Sequence, residues 1–235
     1  MSERAIKRFY ATADVAPVEG GFAVRLDGRP VRTPAKRPLV APTRALAEAI
    51  AAEWAAQGET LAPASMPLTR LADSAIDGVA EALEPTIAEI ASYAGSDLVC
   101  YRALEPEALA ERQAAAFDPV LAFAEQALGA RFALAGGIMH VAQPEASLAA
   151  VRAAIPREPF AATALHALTS LSGSALLALA VARGAMTAEA AWTAAHVDED
   201  FQIERWGADE EAQRRREARQ RDFAAAARAL EVLRS

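Results

Sequence analysis

The chain has 235 residues, of which 53% are hydrophobic and 6% aromatic, and its formal net charge is −7. That length allows one large or two small domains with a real core, and the acidic balance argues against a general binder of nucleic acid or anionic membrane. Cys100 is the single cysteine, so an intramolecular disulfide and a thiolate metal cluster are both excluded and a reducing compartment is expected.

The opening stretch, MSERAIKRFY, has neither an apolar signal core nor a long amphipathic presequence, which points to the cytoplasm. Phe22 to Thr33 reads as a β-hairpin, because Asp27-Gly28 is a two-residue loop whose positions both tolerate positive φ. Pairing Leu26 with Arg29 places Val24 opposite Val31. Phe22, Val24, Leu26 and Val31 then share one face and Arg25 lies on the other. Pro30 confines its strand to an edge. Pro34, Pro38 and Pro42 bracket a short strand at Leu39-Val40. Thr43 to Gln57 follows as a helix with Leu46, Ile50 and Trp54 in line. Ala62 to Met66 is an extended link. Leu68, Leu71, Ala75 and Ile76, then Ile87, Ile90 and Ala94, mark two more helices, and Asp97 to Tyr101 is compatible with a strand.

From Glu105 the helical period dominates. Residues 106 to 117 form one helix, and Asp118-Pro119 restarts another that Gly129 stops. Phe132 to Val141 is an extended or turning link, and Ser147 to Ile155 is a short helix. Phe160 to Arg183 reads as one long apolar helix in which Gly173 permits close approach of a neighbour. Its uncharged core, Ala164 to Ala182, carries His166, Thr169, Ser170, Ser172 and Ser174, which favours a buried helix over a membrane span. Thr187 to Gly207 reads as a single helix with Trp192, His196, Glu199, Ile203 and Trp206 on one stripe. Asp209 to Leu233 is the last helix. The expected class is α+β: a small N-terminal α+β domain with a hairpin, residues 1–100, then a larger all-helical domain, residues 101–235.

Few motifs carry chemistry. Gly20-Gly21 precedes a strand rather than opening a helix, so it is no phosphate loop. Ser172-Gly173-Ser174 lacks the strand–turn–helix setting of a nucleophile elbow. His196-x-x-Glu199 places two possible ligands on one helix face, but no second pair of this kind exists, and a metal site is not expected. Arg214, Arg215, Arg216, Arg219 and Arg221 form a basic run that reads as a salt-bridged helix, with Glu211 and Arg215 at an i,i+4 spacing. Arg70, Asp73 and Asp77 suggest a structural ion-pair set. Glu199 is the sharpest feature, because a carboxylate on an apolar stripe costs free energy unless it is paired or awaits a partner. Glu199 with His196 as acid/base groups of a small-molecule enzyme, in a cleft between the domains, is the alternative reading. RNA binding by the arginine-rich helix is a third.

Several stretches together resemble one family. They are Arg8-Phe9-Tyr10, Leu26 to Pro34, Glu53-Trp54, Met66 to Ala72, Gly95 to Arg102, and the segment from Asp198-Glu199 to Trp206-Gly207. The chain is similar in these to the ATP-twelve family of assembly chaperones for F-type ATP synthase. The resemblance implies an α+β domain followed by a helical one, and binding of the free α subunit before it pairs with β. It implies holding rather than chemistry, with no nucleotide, metal or other cofactor. Glu199, Asp200, Ile203, Glu204 and Trp206 are the expected partner-binding residues, in a monomer with no nucleic-acid partner and no membrane insertion.

Overall fold

The computed structural model describes residues 6–234; the targeting reading of the first five residues lies outside them. The first structure is a small sheet. Strand β1 (Ala13–Val18) turns at Glu19-Gly20 and pairs antiparallel along its whole length with β2 (Gly21–Leu26). The far side of β2 is shared by two short strands, β3 (Arg29–Pro30) at one end and β4 (Val40–Ala41) at the other. The expected hairpin is present. Leu26 pairs with Arg29, the Val31 N–H donates to the Val24 carbonyl, and Asp27 and Gly28 sit at φ 48° and 77°. Val24, Leu26 and Val31 are buried, while Arg25 on the opposite face holds Asp14 across the strand pair. Asp27 tolerates its backbone because its carboxylate accepts from the Thr12 and Ala11 N–H groups, which also lower its pKa. Gly21 is required by packing, since a Cβ there would stand 2.3 Å from the Ala41 carbonyl oxygen. Strand β1 was not anticipated. Its small and polar side chains alternate weakly, and Pro17 masks it.

Helix α1 (Arg44–Ala55) starts on the Thr43 hydroxyl and covers the sheet with Leu46 and Ile50. A short 3₁₀ turn at Pro63–Ser65 replaces the expected extended link. Helix α2 (Pro67–Ser74) has no cap of its own. Glu53 supplies one from α1, accepting from the Leu68 N–H at 2.7 Å and the Thr69 N–H at 2.8 Å, as the positive end of a helix favours. A π-helical turn, Ala75–Val79, follows directly, then α3 (Leu83–Tyr93). Arg70, Asp73 and Asp77 do not form the expected ion-pair set. Arg70 reaches Asp222 on the last helix, and Asp77 accepts from Thr33 and the Ala35 N–H.

The residues after Ser96 form a 3₁₀ turn at Leu98–Cys100 rather than a full strand, because the Asp97 carboxylate accepts the Val99 N–H. Only β5 (Tyr101–Arg102) is extended, pairing in parallel with β6 (Ala135–Gly136). Cys100 is fully buried, and burial pushes its thiol up to about 12, as expected of an inert packed cysteine. Between the two strands lies α4 (Glu107–Leu128), one continuous helix where two were expected. Pro119 removes one internal hydrogen bond. Phe117, Val120 and Ala124 are all fully buried on one stripe running through it, so packing carries the helix across. Asp118 is no cap; Arg102 holds it at 2.7 Å.

After α5 (Glu145–Ala154), the long apolar stretch is also not one helix. It divides into α6 (Pro159–Ser172) and α7 (Ala175–Ala182). Gly173 adopts φ 73° and terminates α6, and Ser174 caps α7 through the Leu177 N–H at 2.9 Å. No atom lies near the missing Cβ of Gly173, so the glycine serves a left-handed turn and not a close approach. Asp97 adds a second cap from far back in the chain, accepting the Leu176 N–H at 3.1 Å. Asp97 is fully buried; burial raises its pKa to about 6 against the lowering effect of the Ser174 hydroxyl and backbone N–H groups.

The remaining helices are α8 (Ala188–Ala195), α9 (Val197–Trp206) and α10 (Glu210–Leu233). Helix α10 begins on Asp209, as expected, and packs against α1, α2, α6 and α8 with Phe223, Ala226 and Leu230 buried. The core runs without interruption from Tyr10 through α6 and α7 to Val232. Among the described residues no helix is long and apolar enough to cross a membrane. The architecture is the expected α+β class, a small N-terminal sheet region followed by a mostly helical remainder.

Candidate partner-binding surface

The segment from Thr187 to Gly207 is bounded as its sequence indicates. Thr187 caps the first turn, accepting the Ala190 N–H at 3.1 Å, and Gly207 closes the last at φ 86°. Its interior differs: the chain breaks at His196, which adopts φ −117° and ψ 18° and separates α8 from α9. The cause is local competition for one carbonyl. The His196 Nδ1–H donates to the Trp192 oxygen at 2.8 Å, which an unbroken helix would reserve for the His196 backbone. The His196 N–H turns to the Thr193 oxygen instead.

The break divides the five-residue stripe. Trp192 and His196 face inward, their rings stacked at 3.8 Å, with Trp192 against Phe223 of α10. Beyond the break the buried residue of α9 is Phe201, flanked by Arg205 and Arg112 over its ring. Phe201 was not anticipated; Val197 and Phe201 at an i,i+4 spacing carried the signal, visible only if the helix is started at Val197. Glu199 and Trp206 consequently turn outward, Trp206 80% exposed, while Ile203 is half-buried along the groove beside them.

Each acidic group of α9 has a different fate. Asp198 accepts from the buried amide of Gln113 at 2.7 Å. Asp200 meets Arg216 of α10 at 2.5 Å, and Glu204 meets Arg112 of α4 at 2.8 Å. The Glu199 side chain is 43% exposed and lies 4.0 Å from His196 Nε2, beyond hydrogen-bond reach. His196 is 6% exposed, and its pKa is lowered, first by burial, with Arg216 and Arg219 adding to the effect and the Trp192 carbonyl and Glu199 opposing it. At neutral pH it is uncharged, and the nitrogen facing Glu199 is the unprotonated one. Glu199 thus has no hydrogen-bond donor among the described residues. With Ile203 and Arg216 it edges a groove of about 470 Å³ between α8, α9 and the start of α10.

Of the five expected partner-binding residues, the structure gathers Glu199, Ile203 and Trp206 on the outer side of α9. It binds Asp200 and Glu204 into internal ion pairs. The acid/base pairing of Glu199 with His196 is not formed, since the histidine is enclosed and its Nδ1 is engaged. Members of the Arg214–Arg221 run hold Glu210, Glu211, Asp200 and the Leu171 carbonyl, the salt-bridged helix that was expected.

The fold that carries α9, with its exposed Trp206 and outward Glu199 carboxylate, is that of a chaperone. The chain belongs to the ATP12 chaperone family, whose model, described as ATP12 chaperone protein, matches residues 7–125. Solved structures extend the likeness through α9 and α10. Atp12 from Paracoccus denitrificans is 43% identical, with a TM-score of 0.90 over 97% of this chain and 98% of that one. An aspartate-to-lysine mutant of the same Paracoccus protein matches equally, over 97% of each chain. The Agrobacterium tumefaciens protein Atu1473, described as a candidate chaperone, is 51% identical with a TM-score of 0.93, over 97% of this chain and 86% of that one.

Proposed function

We propose that this chaperone binds the unassembled α subunit of F-type ATP synthase and covers the surface that α later buries against β. The contact is made by the outer side of α9, with Glu199, Ile203 and Trp206 in direct contact and Asp200 and Glu204 at its rim. The observation that carries this reading is the Glu199 carboxylate, which has no hydrogen-bond donor of its own while its acidic neighbours are paired. A carboxylate in that position is ready for a cation on a partner, and Ile203 and Trp206 beside it offer apolar area. Polar groups set among apolar ones give a contact that is specific yet releasable. In this reading the protein works as a cytoplasmic monomer without a cofactor. The division near residue 100 separates a sheet-bearing region from the helical region that meets the client.

Co-expression tests the proposal. Soluble α subunit should rise when this chain is present, and the two should co-elute on gel filtration, whereas the assembled catalytic head should not bind. Unchanged solubility of α together with no complex would overturn the assignment.

A further inference from the structure

A second surface stands apart from α9. The stretch from Phe132 to Pro144 carries no formally charged residue, yet it runs over the surface. Ile138 is 96% and Met139 75% exposed, and Leu134 and Leu104 are exposed beside them. Half of the exposed large hydrophobic residues of the described chain are gathered here. Leu104 lies on the backbone of the loop, for a Cβ on Gly136 would stand 2.8 Å from its side chain.

The loop is held in place from several directions. Strand β6 pairs with β5, and the Gly137 N–H donates to the Arg102 oxygen at 2.8 Å. The Gln143 amide closes its base, bonding the Ala133 N–H and carbonyl at 2.8 and 2.9 Å. An isolated exposed hydrophobic residue is ordinary, but a contiguous group on a built loop marks an interaction site. This projection is also tied to α9. The buried Gln113 side chain accepts the Ala103 N–H at 2.6 Å with its oxygen and donates to Asp198 at 2.7 Å with its nitrogen. One side chain thus fixes the residue before Leu104 relative to the first turn of α9.

We propose that the knuckle of Leu104, Leu134, Ile138 and Met139 is a second contact for the protein that α9 binds. Its occupant is an uncharged apolar cleft on that client, bordered by basic groups that meet the acidic first turn of α9. The identity of the client rests on the reading above. Charge decides against a second copy of this chain as occupant, because a net charge of −7 opposes self-association while favouring a basic-rimmed partner. The neutral knuckle supplies apolar contact and the Glu199 side supplies selection.

The experiment measures capture of free α subunit by wild type, by Ile138→Asp/Met139→Asp and by Glu199→Lys, alongside a thermal melt of each and the solution mass of wild type. The double variant should melt as wild type does, because both side chains stand in solvent, and should bind α at least tenfold more weakly. If it melts early, Ile138→Gln alone, which introduces no charge, should still weaken binding several-fold at an unchanged midpoint. Unaltered capture by a normally folded knuckle variant while Glu199→Lys fails would overturn this inference and leave the α-subunit reading standing. Absence of capture by wild type would overturn that reading and this one with it. A wild-type dimer that the double variant converts to monomer, with capture of α unchanged, would make a second copy the occupant and refute the proposal.

Discussion

Replacing Glu199 with alanine separates a role in folding from a role in binding. A carboxylate buried against a charged partner costs about 3–5 kcal/mol when one member is removed. The structure gives Glu199 no such partner: it is 43% exposed, 4.0 Å from a histidine, and makes no hydrogen bond among the described residues. The histidine is enclosed and its pKa lowered, first by burial, so at pH 7 it offers Glu199 no positive charge. Its attraction to Arg216 is shared with Asp200, which sits closer. The stability change of Glu199→Ala should therefore stay within about 0.5 kcal/mol, the usual range for surface positions. Binding is different. If Glu199 is desolvated against a cationic group of the client, its loss should weaken the complex by about 2 kcal/mol or more, roughly thirtyfold in Kd. Paired urea melts and titrations of free α subunit, with suppression of α aggregation as a second readout, check both quantities. A stability loss above about 1.5 kcal/mol would show a structural partner that the geometry does not contain. Intact binding by a normally folded variant would remove Glu199 from the interface.

Three further outcomes follow from the fold. Asp97→Ala leaves the buried N–H groups of Val99 and Leu176 without acceptors, at about 1–3 kcal/mol each. For a chain of this size the thermal midpoint should fall by roughly 5–15 °C, and a drop of less than 2 °C would refute the double-cap role. Asp73 has its pKa raised to about 6, first by burial and then by the neighbouring Asp77 charge. The folded state therefore holds this proton more tightly than the unfolded chain does, and the group adds stability as pH falls from about 7 toward 4. Asp73→Asn should flatten that part of the stability–pH curve relative to wild type, and parallel curves would contradict the assignment. Gly28→Val should cost roughly 1–3 kcal/mol from backbone strain alone, because φ is 77° and the space around the missing Cβ is open. Gly28→Asn should recover most of that loss in the same melt, since asparagine tolerates the left-handed region.

The elements most legible in the sequence were those whose ends are set by neighbouring residues. Asp27-Gly28 defined a hairpin, Thr43 and Asp209 defined helix starts, and Gly129 and Gly207 defined helix ends. The misread elements depended on partners that no local window contains. Asp118-Pro119 has the form of a helix start, but Arg102 holds the aspartate and a buried stripe carries the helix past the proline. Gly173 can be tolerated in a helix or can end one. Ser174 offered the local hint as a cap, while the decisive acceptor, Asp97, comes from the turn before β5. At the candidate site, the stripe from Trp192 to Trp206 follows from the sequence only on an unbroken helical period. The sequence offers His196 as a possible ligand or base, whereas its ring takes the Trp192 carbonyl and breaks the helix. That break turns Glu199 outward and brings Phe201 in. The outcome depends on which of two donors wins one oxygen, and periodicity does not register that choice. The knuckle at Ile138 and Met139 likewise looks like a mere link in the sequence, because apolar residues in a loop give no periodic signal.

The position of α10 has a consequence for the protein's own biogenesis. Phe223, Ala226, Ala229, Leu230 and Val232 fill the centre of the core, and the Val232 carbonyl accepts from the Thr43 hydroxyl at the head of α1. In synthesis α10 follows the strands and α1, with whose buried residues it shares one core. Until α10 is made, the apolar sides of α1, α2, α6 and α8 that pack on it lack that cover, so the growing chain briefly presents sticky surface of the kind that chaperones mask. A premature stop anywhere in the final two turns would be expected to yield a protein in need of a chaperone itself.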